Sequence, residues 1–224
     1  SQRYPVQWGG DPQSDWGGLA GSIRGMLSWS CTGVPFYATD IGGFYGGQPD
    51  AELFVRWTQA AVFASHMRFH GIGAREPWSF GEAALDLVRR ALELRYALIP
   101  YIERHLAAAT ATGLPLCRPM ALAFPEAREA HGFDTQYLFG PDLLVAPILM
   151  PGGHVSVWLP EGTWHVWETG EPVTGARRLD LTLSLDRFPL FVRAGAEIPL
   201  ARPADRTAAW GPGPTPIAER RSFG

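Results

Sequence analysis

Residues 34–43 read VPFYATDIGG, and this stretch decides the fold. The run 34–39 is short, apolar and aromatic, which is typical of a buried strand. It breaks at an aspartate followed by the pair Gly42-Gly43, and glycine allows backbone conformations that other residues resist. Amphipathic helical patterns lie on both sides, so the stretch is predicted to be the middle strand of a repeated strand–helix unit.

Outward from this strand the chain alternates between strands and helices. Short strands are predicted over 4–8 and 67–71, and helices over 15–28, 51–65 and about 80–109. Strands and helices in this order indicate a parallel α/β sheet. Three such units are too few to close an eight-stranded barrel.

Cap residues mark the predicted helix starts. Ser14 or Asp15 is expected to cap the first helix, and Asp50 the second. The sequence SFGE at 79–82 has capping-box spacing before the third helix. That helix is expected to bend at Pro100, because proline lacks the backbone N–H of a helix interior.

The character of the chain changes near Leu114. Short apolar runs separated by Pro, Gly and Asp follow, and their spacing is typical of an antiparallel β-sandwich. These runs are 142–149, 154–159, 164–167, 179–183 and 190–192. The sequence therefore predicts an α/β domain over 1–113, an all-β domain over 114–200 and, because of its many Pro, Gly and Arg residues, a flexible tail over 201–224.

Composition argues against several classes of protein. Hydrophobic residues make up 46% of the 224 residues, so a packed core is expected rather than a disordered chain. The formal charge is −3 without a basic block, so nucleic acid is not expected as a partner. The apolar stretch 139–150 is interrupted and shorter than the roughly 18 residues that span a bilayer, so no membrane partner is expected. Cys31 and Cys117 are predicted to be free buried thiols.

Polar side chains occur at the ends of all three predicted strands. Asp11 follows the first strand and Asp40 the second, while Arg68 and His70 lie on the third. Functional groups of parallel β/α folds sit at the C-terminal strand ends, so these side chains are expected to reach one small ligand. Each strand end also has an aromatic companion, namely Trp8, Phe44 and Trp78. Carboxylates flanked by rings suit a sugar pocket, because rings stack on the C–H faces of a sugar while charged groups bind its hydroxyls.

A purely structural explanation stays open for each polar residue. Asp11 precedes a proline and Asp40 lies before a glycine pair, so each could serve only its own turn. His70 could be a hydrogen-bonded core histidine, and Arg68 could balance a neighbouring carboxylate. The residues alone therefore predict a sugar-binding β/α site and leave its chemistry open.

Metal and phosphate chemistry are not favoured by the sequence. His66 and His70 have the i, i+4 spacing of a helical zinc pair but straddle a predicted helix end. The pair Gly42-Gly43 lacks the spacing and the lysine of a phosphate-binding loop. No cofactor and no metal are predicted.

Longer motifs carry a family resemblance. They are WGGD at 8–11, GVPFYATDIGGF at 33–44, RFHG at 68–71, REPW at 75–78, LRYALIPY at 94–101, RPM at 118–120 and QYLFGP at 136–141. Together they resemble glycoside hydrolase family 31, the α-glucosidase and α-xylosidase group. The likeness runs from residue 1 to about 200 in one order and at compatible spacing, which is far more specific than a single short pattern.

The resemblance implies a fold and a set of roles. The fold is the C-terminal portion of a (β/α)8 TIM barrel, beginning at its sixth strand, followed by an antiparallel β-sandwich domain. The role implied for Asp11 is general acid/base. The substrate-binding residues that it implies are Trp8, Asp40, Phe44, Arg68 and His70.

The resemblance also implies what lies elsewhere. The family's nucleophilic Asp is on the fourth barrel strand, and a sugar-binding Arg is expected just before residue 1. A retaining glycosidase uses two carboxylates about 5–5.5 Å apart, so the chain alone is expected to be inactive. Gln7 stands where the family often has a His, and we expect this difference to tune the pocket.

These observations predict a retaining α-glycoside hydrolase that cleaves non-reducing α-linked glucose or xylose and needs no cofactor. Two alternatives stay open: a non-catalytic carbohydrate-binding or scaffold module, and an α-transglycosylase using the same residues. The expected partners are an oligosaccharide or glycoside and the missing N-terminal part of the same chain, with a homo-oligomer left open. A cytoplasmic location is expected.

Overall fold

Short parallel strands and the helices between them form the first part of the fold. The computed structural model describes residues 6–224, so Tyr4 and Pro5 of the first predicted strand lie outside the described residues. The strands are β1 (Val6–Trp8), β2 (Phe36–Ala38), β3 (Asp40–Ile41) and β4 (Arg68–Phe69). β1 pairs in parallel with β2, and β3 with β4. Only Thr39 separates β2 from β3, so the two segments continue one strand direction.

The helices are α1 (Trp16–Cys31), α2 (Ala51–Ala61), α3 (Glu82–Ala97) and α4 (Ile99–Thr112). Two predicted caps are confirmed. The Asp15 carboxylate accepts the Gly18 N–H at 2.7 Å, and the Asp50 carboxylate accepts the Leu53 N–H at 2.8 Å. These bonds satisfy backbone donors that a helix start leaves without an intrahelical acceptor.

The predicted capping box is wrong. Pro77–Phe80 forms a 3-10 turn, and α3 begins only after Gly81, whose φ is 88°. Ser79 therefore lies inside that turn rather than at a helix cap. The predicted bend is confirmed, since the helical path breaks at Leu98 and Pro100 lies in the first turn of α4.

The second part is antiparallel, and its strands are β5 (Cys117–Pro119), β6 (Tyr137–Phe139), β7 (Leu143–Val145), β8 (His154–Leu159), β9 (Thr163–Val166), β10 (Pro172–Thr174), β11 (Arg177–Thr182) and β12 (Leu190–Arg193). A six-stranded sheet has the order β10-β9-β12-β7-β6-β5, and β11 pairs with β8 in a separate sheet. A short helix, α5 (Met120–Ala123), follows β5. The predicted class, α/β followed by all-β, is confirmed.

The six-stranded sheet is buried on both faces. Alternate residues such as Tyr137 and Phe139 join the core formed with helices α1 to α4. Their neighbour Leu138 joins a second core with Val157 and Leu159 of β8. Because side chains alternate along a strand, these two sets of residues lie on opposite faces of the sheet. Both cores therefore pack against this one sheet.

Side chains from α3 and β6 hold the buried segment 62–65 that follows α2. Arg95 on α3 donates to the carbonyls of Val62 at 2.7 Å and Ser65 at 2.8 Å, and also to that of Ala64. The Tyr137 hydroxyl on β6 donates to the Phe63 carbonyl at 2.9 Å. These bonds fix the segment that leads from α2 into β4.

The predicted flexible tail is wrong for the end of the chain. β14 (Glu219–Ser222) pairs antiparallel with β13 (Glu197–Leu200). Phe223 is only 4% exposed, and its ring centroid lies 5.8 Å from that of Trp167. The composition of 201–224 did not indicate this packing, because it depends on one apolar residue, Phe223, directly after β14.

Both cysteines are free, but only one is buried. Cys117 lies inside the core, whereas Cys31, the last residue of α1, is exposed. The prediction of two buried thiols is therefore wrong for Cys31. Within residues 6–224, no helix combines the length and apolar character that a membrane crossing requires.

The anchoring role of Phe223 can be tested by truncating its side chain. Phe223→Ala should lower the free energy of unfolding by about 3 kcal/mol, because it leaves a cavity beside Trp167. Ile217→Ala is the matched control in the same stretch, and with its side chain 46% exposed it should change that free energy by about 0.5 kcal/mol or less. Urea denaturation measures both, and equal values for the two variants would contradict the packed end.

Candidate active site

The parallel strands bring three loops to one edge of the sheet. Trp8 ends β1, and Asp40 on β3 lies directly opposite Arg68 on β4 in the pairing register. The backbone bridge between Gln13 and Tyr45 continues the parallel contact beyond the strands. The residues at the end of each strand therefore meet at one place, as expected for the C-terminal edge of parallel strands.

Asp40 and Arg68 form an ion pair at this edge. The Arg68 Nε donates to Asp40 Oδ1 at 2.9 Å, with the Asp40 side chain fully buried and that of Arg68 about half exposed. The Arg68 Cζ lies 4.2 Å from the centroid of the Trp8 ring, which adds a cation–π contact. Trp8, Arg68 and Asp40 are thus in one line of contacts, from the exposed ring to the buried carboxylate.

Burial dominates the electrostatics of Asp40. It raises the pKa of Asp40, while the hydrogen bond and the charge of Arg68 and the charge of His70 lower it. The charge of Asp11 raises the pKa of Asp40 further, so both Asp11 and His70 lie within electrostatic reach of this carboxyl group. Asp40 Oδ2 is buried and has no hydrogen-bond partner among residues 6–224. Leaving a buried carboxylate oxygen without a donor is costly, so a donor that reached it would stabilise the site.

Phe44 ties the three loops together through its backbone. Its N–H donates to the Pro12 carbonyl at 2.7 Å, and its carbonyl accepts the Ile72 N–H at 2.8 Å. The ring of Phe44 lies 5.5 Å from that of His70, centroid to centroid, at an interplanar angle of 32°. The partly buried ring and the exposed imidazole therefore share one patch, and His70 is not a core histidine.

Asp11 differs from the aspartates that serve turns and caps. It is exposed and lies between Gly10, whose φ is 82°, and Pro12. In the part of the chain that the structure describes, its carboxylate makes no hydrogen bond, whereas those of Asp15 and Asp50 each accept a backbone N–H. This contrast argues against the explanation that Asp11 only stabilises its own turn.

The third strand end and the metal-binding side chains complete the description of this edge. Trp78, the aromatic companion predicted for the third strand end, is 68% exposed, and no ring pair within residues 6–224 joins it to Phe44 or His70. No group of three metal-binding side chains occurs within residues 6–224.

Sequence reasoning missed Arg75. Its side chain is buried and donates to the Gly43 carbonyl at 2.9 Å and the Ser14 hydroxyl at 2.8 Å. The motif REPW at 75–78 contributes to the family resemblance, but it predicted no role for its arginine. The available signal was a charged residue close behind the third strand end, within a segment that also contains Gly71 and Gly73.

Comparison with family models decides where this architecture belongs. Residues 1–104 match the glycosyl hydrolases family 31 TIM-barrel domain, and residues 113–198 match the glycosyl hydrolase family 31 C-terminal domain. The chain belongs to glycoside hydrolase family 31. Its helical part is thus a portion of the family 31 TIM barrel, as the motifs predicted, and its sandwich is part of the domain that follows.

The names of the similar family 31 proteins differ in the activity that they give. The chain is 38% identical over 207 residues to an alpha-xylosidase of Saccharolobus solfataricus, covering 89% of this chain and 28% of the relative. It is 40% identical over 204 residues to a probable glucan 1,3-alpha-glucosidase of Oryza sativa subsp. japonica, covering 89% and 22%. The cycloalternan-forming enzyme from Listeria monocytogenes, in complex with a pentasaccharide substrate, superposes with a TM-score of 0.84 at 36% identity, covering 87% and 20%. The chain thus spans about a quarter of the length of the curated relatives it matches.

The Asp40–Arg68 pair can be tested by titration. Arg68→Met should raise the pKa of Asp40, because the variant removes both a hydrogen bond to the carboxylate and a nearby positive charge. Carbon-13 NMR of the aspartate carboxyls measures this pKa directly. Arg24→Met, which breaks an exposed ion pair with Asp134, should leave Asp40 unchanged. An Asp40 pKa that is the same in wild type and Arg68→Met would show that the pair is absent in solution.

Proposed function

We propose that this chain supplies the acid/base and sugar-binding part of a retaining α-glycosidase that cleaves non-reducing α-linked glucose or xylose. One observation carries the proposal: the carboxylate of Asp11, which is exposed and makes no hydrogen bond within residues 6–224, follows β1 and lies within electrostatic reach of Asp40. Family membership and the sugar complex of a similar structure support a carbohydrate substrate.

In this proposal Asp11 protonates the glycosidic oxygen and later removes a proton from water. Such a role requires an accessible carboxyl group near a second carboxylate that acts as nucleophile, about 5–5.5 Å away in retaining enzymes. Asp40 is poorly suited to be that nucleophile, because it is fully buried and bound by Arg68. The nucleophile is therefore assigned to the remainder of the family barrel, in keeping with the share of the relatives that the chain covers.

The other site residues are proposed to hold the cleaved sugar. Asp40 Oδ2 lacks a donor among the described residues, and a sugar hydroxyl that reached it would supply one. The half-exposed guanidinium of Arg68 and the exposed imidazole of His70 offer further polar contacts. The rings of Trp8 and Phe44 provide apolar surface for the C–H faces of the sugar.

A transglycosylase is the second candidate. The similar structure named as a cycloalternan-forming enzyme favours it, since the same residues would serve transfer to a sugar acceptor instead of water. Product analysis with and without an added acceptor sugar distinguishes the two. A non-catalytic binding module would show neither product.

We also propose where the protein is located and which partners it has. A cytoplasmic location is in keeping with the exposed free thiol of Cys31, because a reducing compartment keeps such thiols reduced. Nucleic acid and membranes are not proposed as partners. The rest of the barrel is proposed as the structural partner of the strand edge.

The role of Asp11 predicts a distinctive pattern of loss and rescue in the complete barrel. Asp11→Ala should hydrolyse a disaccharide about 10²–10⁴-fold more slowly, because the leaving oxygen needs a proton. A glycosyl fluoride should still form the glycosyl-enzyme, because its fluoride ion departs without a proton. The glycosyl-enzyme should then accumulate, because no base activates water. Added azide needs no base and should restore turnover, giving the α-glycosyl azide after two inversions.

Asp15→Asn is the matched control, since it removes a carboxylate four residues away while an amide oxygen still caps α1. It should hydrolyse the disaccharide at nearly the wild-type rate. A β-glycosyl azide from Asp11→Ala would identify Asp11 as the nucleophile instead. Unchanged disaccharide hydrolysis would reduce Asp11 to a turn residue.

A further inference from the structure

Arg75 is a buried arginine whose hydrogen bonds reach all three loops of the site. Its Nε donates to the Gly43 carbonyl at 2.9 Å, in the loop after β3. One terminal nitrogen donates to the Ser14 hydroxyl at 2.8 Å in the loop after β1, and to the Gly47 carbonyl at 3.3 Å. The other donates to the Ala74 carbonyl at 2.8 Å, in the loop after β4 that carries Arg75 itself.

Two glycines make room for this side chain. A Cβ atom at Gly71 would lie 2.9 Å from Arg75 Nε and 3.0 Å from its Cζ. A Cβ atom at Gly42 would lie 3.0 Å from Arg75 Cδ, and the φ of 87° at Gly42 already disfavours other residues. The glycines at these loop positions and the arginine thus fit one another.

The atoms that Arg75 holds are neighbours of the site residues. Ser14 lies three positions after Asp11, and Gly43 directly precedes Phe44. Arg75 is only 4% exposed, so it is shielded from a ligand in the site. It acts on the site through the backbone of the loops it joins, and its charge also lies within electrostatic reach of Asp40.

We propose that Arg75 is a positioning residue that sets the distance between the Asp11 loop and the Phe44 loop, and so aligns the acid/base with the bound sugar. This inference rests on the proposed function. A guanidinium is suited to the task because its N–H groups form a rigid planar fork, whereas a lysine ammonium is a single point charge on a flexible stem. Lysine keeps the charge but cannot reach the same set of acceptors.

Arg56 offers a matched control elsewhere in the chain. It is 2% exposed and also donates to four oxygens, namely Gln59 Oε1 and the carbonyls of Leu183, Ser184 and Arg187. These contacts join α2 to the sandwich rather than loops of the site. Arg56→Lys and Arg75→Lys therefore remove comparable buried forks at different places.

The experiment compares two substrates in the complete barrel with wild type, Arg75→Lys and Arg56→Lys. A disaccharide needs protonation by Asp11, whereas a glycosyl fluoride does not. Misplacing the acid/base should lower kcat for the disaccharide in Arg75→Lys by about 10- to 100-fold, with a smaller effect on KM. Formation of the glycosyl-enzyme from the fluoride should be slowed about 10 times less than hydrolysis of the disaccharide, because the fluoride needs no proton from Asp11. Arg56→Lys should lower the melting temperature but keep the wild-type ratio between the two substrates.

Amide hydrogen exchange adds a readout that does not require activity. In Arg75→Lys, exchange at Ser14 and Phe44 should speed up while exchange at residues 183–187 stays unchanged. Arg56→Lys should show the reverse pattern. This readout separates a loosened site from a globally destabilised protein.

The results for Asp11→Ala and Arg75→Lys together separate the proposed function from the positioning role of Arg75. If Asp11→Ala shows the proposed loss and azide rescue but Arg75→Lys keeps the wild-type substrate ratio, the positioning role is overturned and the proposed function stands. If Asp11→Ala hydrolyses the disaccharide like the wild type, the proposed function fails and the positioning role fails with it. Equal losses on both substrates in Arg75→Lys would make Arg75 a purely structural residue.

Discussion

The buried carbonyl groups of residues 62–65, which follow α2, are the constraint on which the rest of the structure depends. Burying a backbone carbonyl without a donor is costly. In this segment the carbonyls are paired with Arg95 from α3 and Tyr137 from β6. Because that segment leads directly into β4, the same bonds determine where Arg68 and His70 stand.

Two levels of organisation thus meet at the site. The parallel pairing of β3 with β4 places Asp40 opposite Arg68, and this part follows from the strand–helix repeat. The loops beyond the strands are held by a second set of contacts, in which the Phe44 backbone bridges Pro12 and Ile72. Pairing gives each side chain its strand, whereas the loop contacts decide how those side chains face one another.

Sequence reasoning succeeded where a local pattern has a local cause. Asp15 and Asp50 precede apolar helical periodicity and accept backbone N–H groups three residues on, so their capping was predictable. The box at 79–82 failed, because Pro77 starts a 3-10 turn and Gly81 adopts a positive φ that ends it. The strand order and the cluster of Trp8, Asp40 and Arg68 were likewise predictable, because parallel strands bring their C-terminal ends to one edge.

The remaining features depend on partners far away in the chain. Arg75 joins the loops of the site through hydrogen bonds to Ser14 and Gly43, which are more than 30 residues away in sequence. No local spacing in the sequence therefore indicates this role. Phe223 sits in a stretch whose composition favours disorder, and its ring packs beside those of Trp167 and His165, which are more than 50 residues earlier in the chain. Such contacts are encoded by the whole fold rather than by any one motif.

The sheet that closes two cores has a consequence for how this protein is cut and recombined. A chimaera joined between α4 and β5 would strip Tyr137, Phe139 and Val145 from the helices they cover. A foreign sandwich would have to reproduce that apolar face, and also the donor that Tyr137 extends to Phe63. The helices and the six-stranded sheet must therefore be exchanged together, and recombination between relatives should tolerate crossovers in the loop between β8 and β9 far better than between α4 and β5.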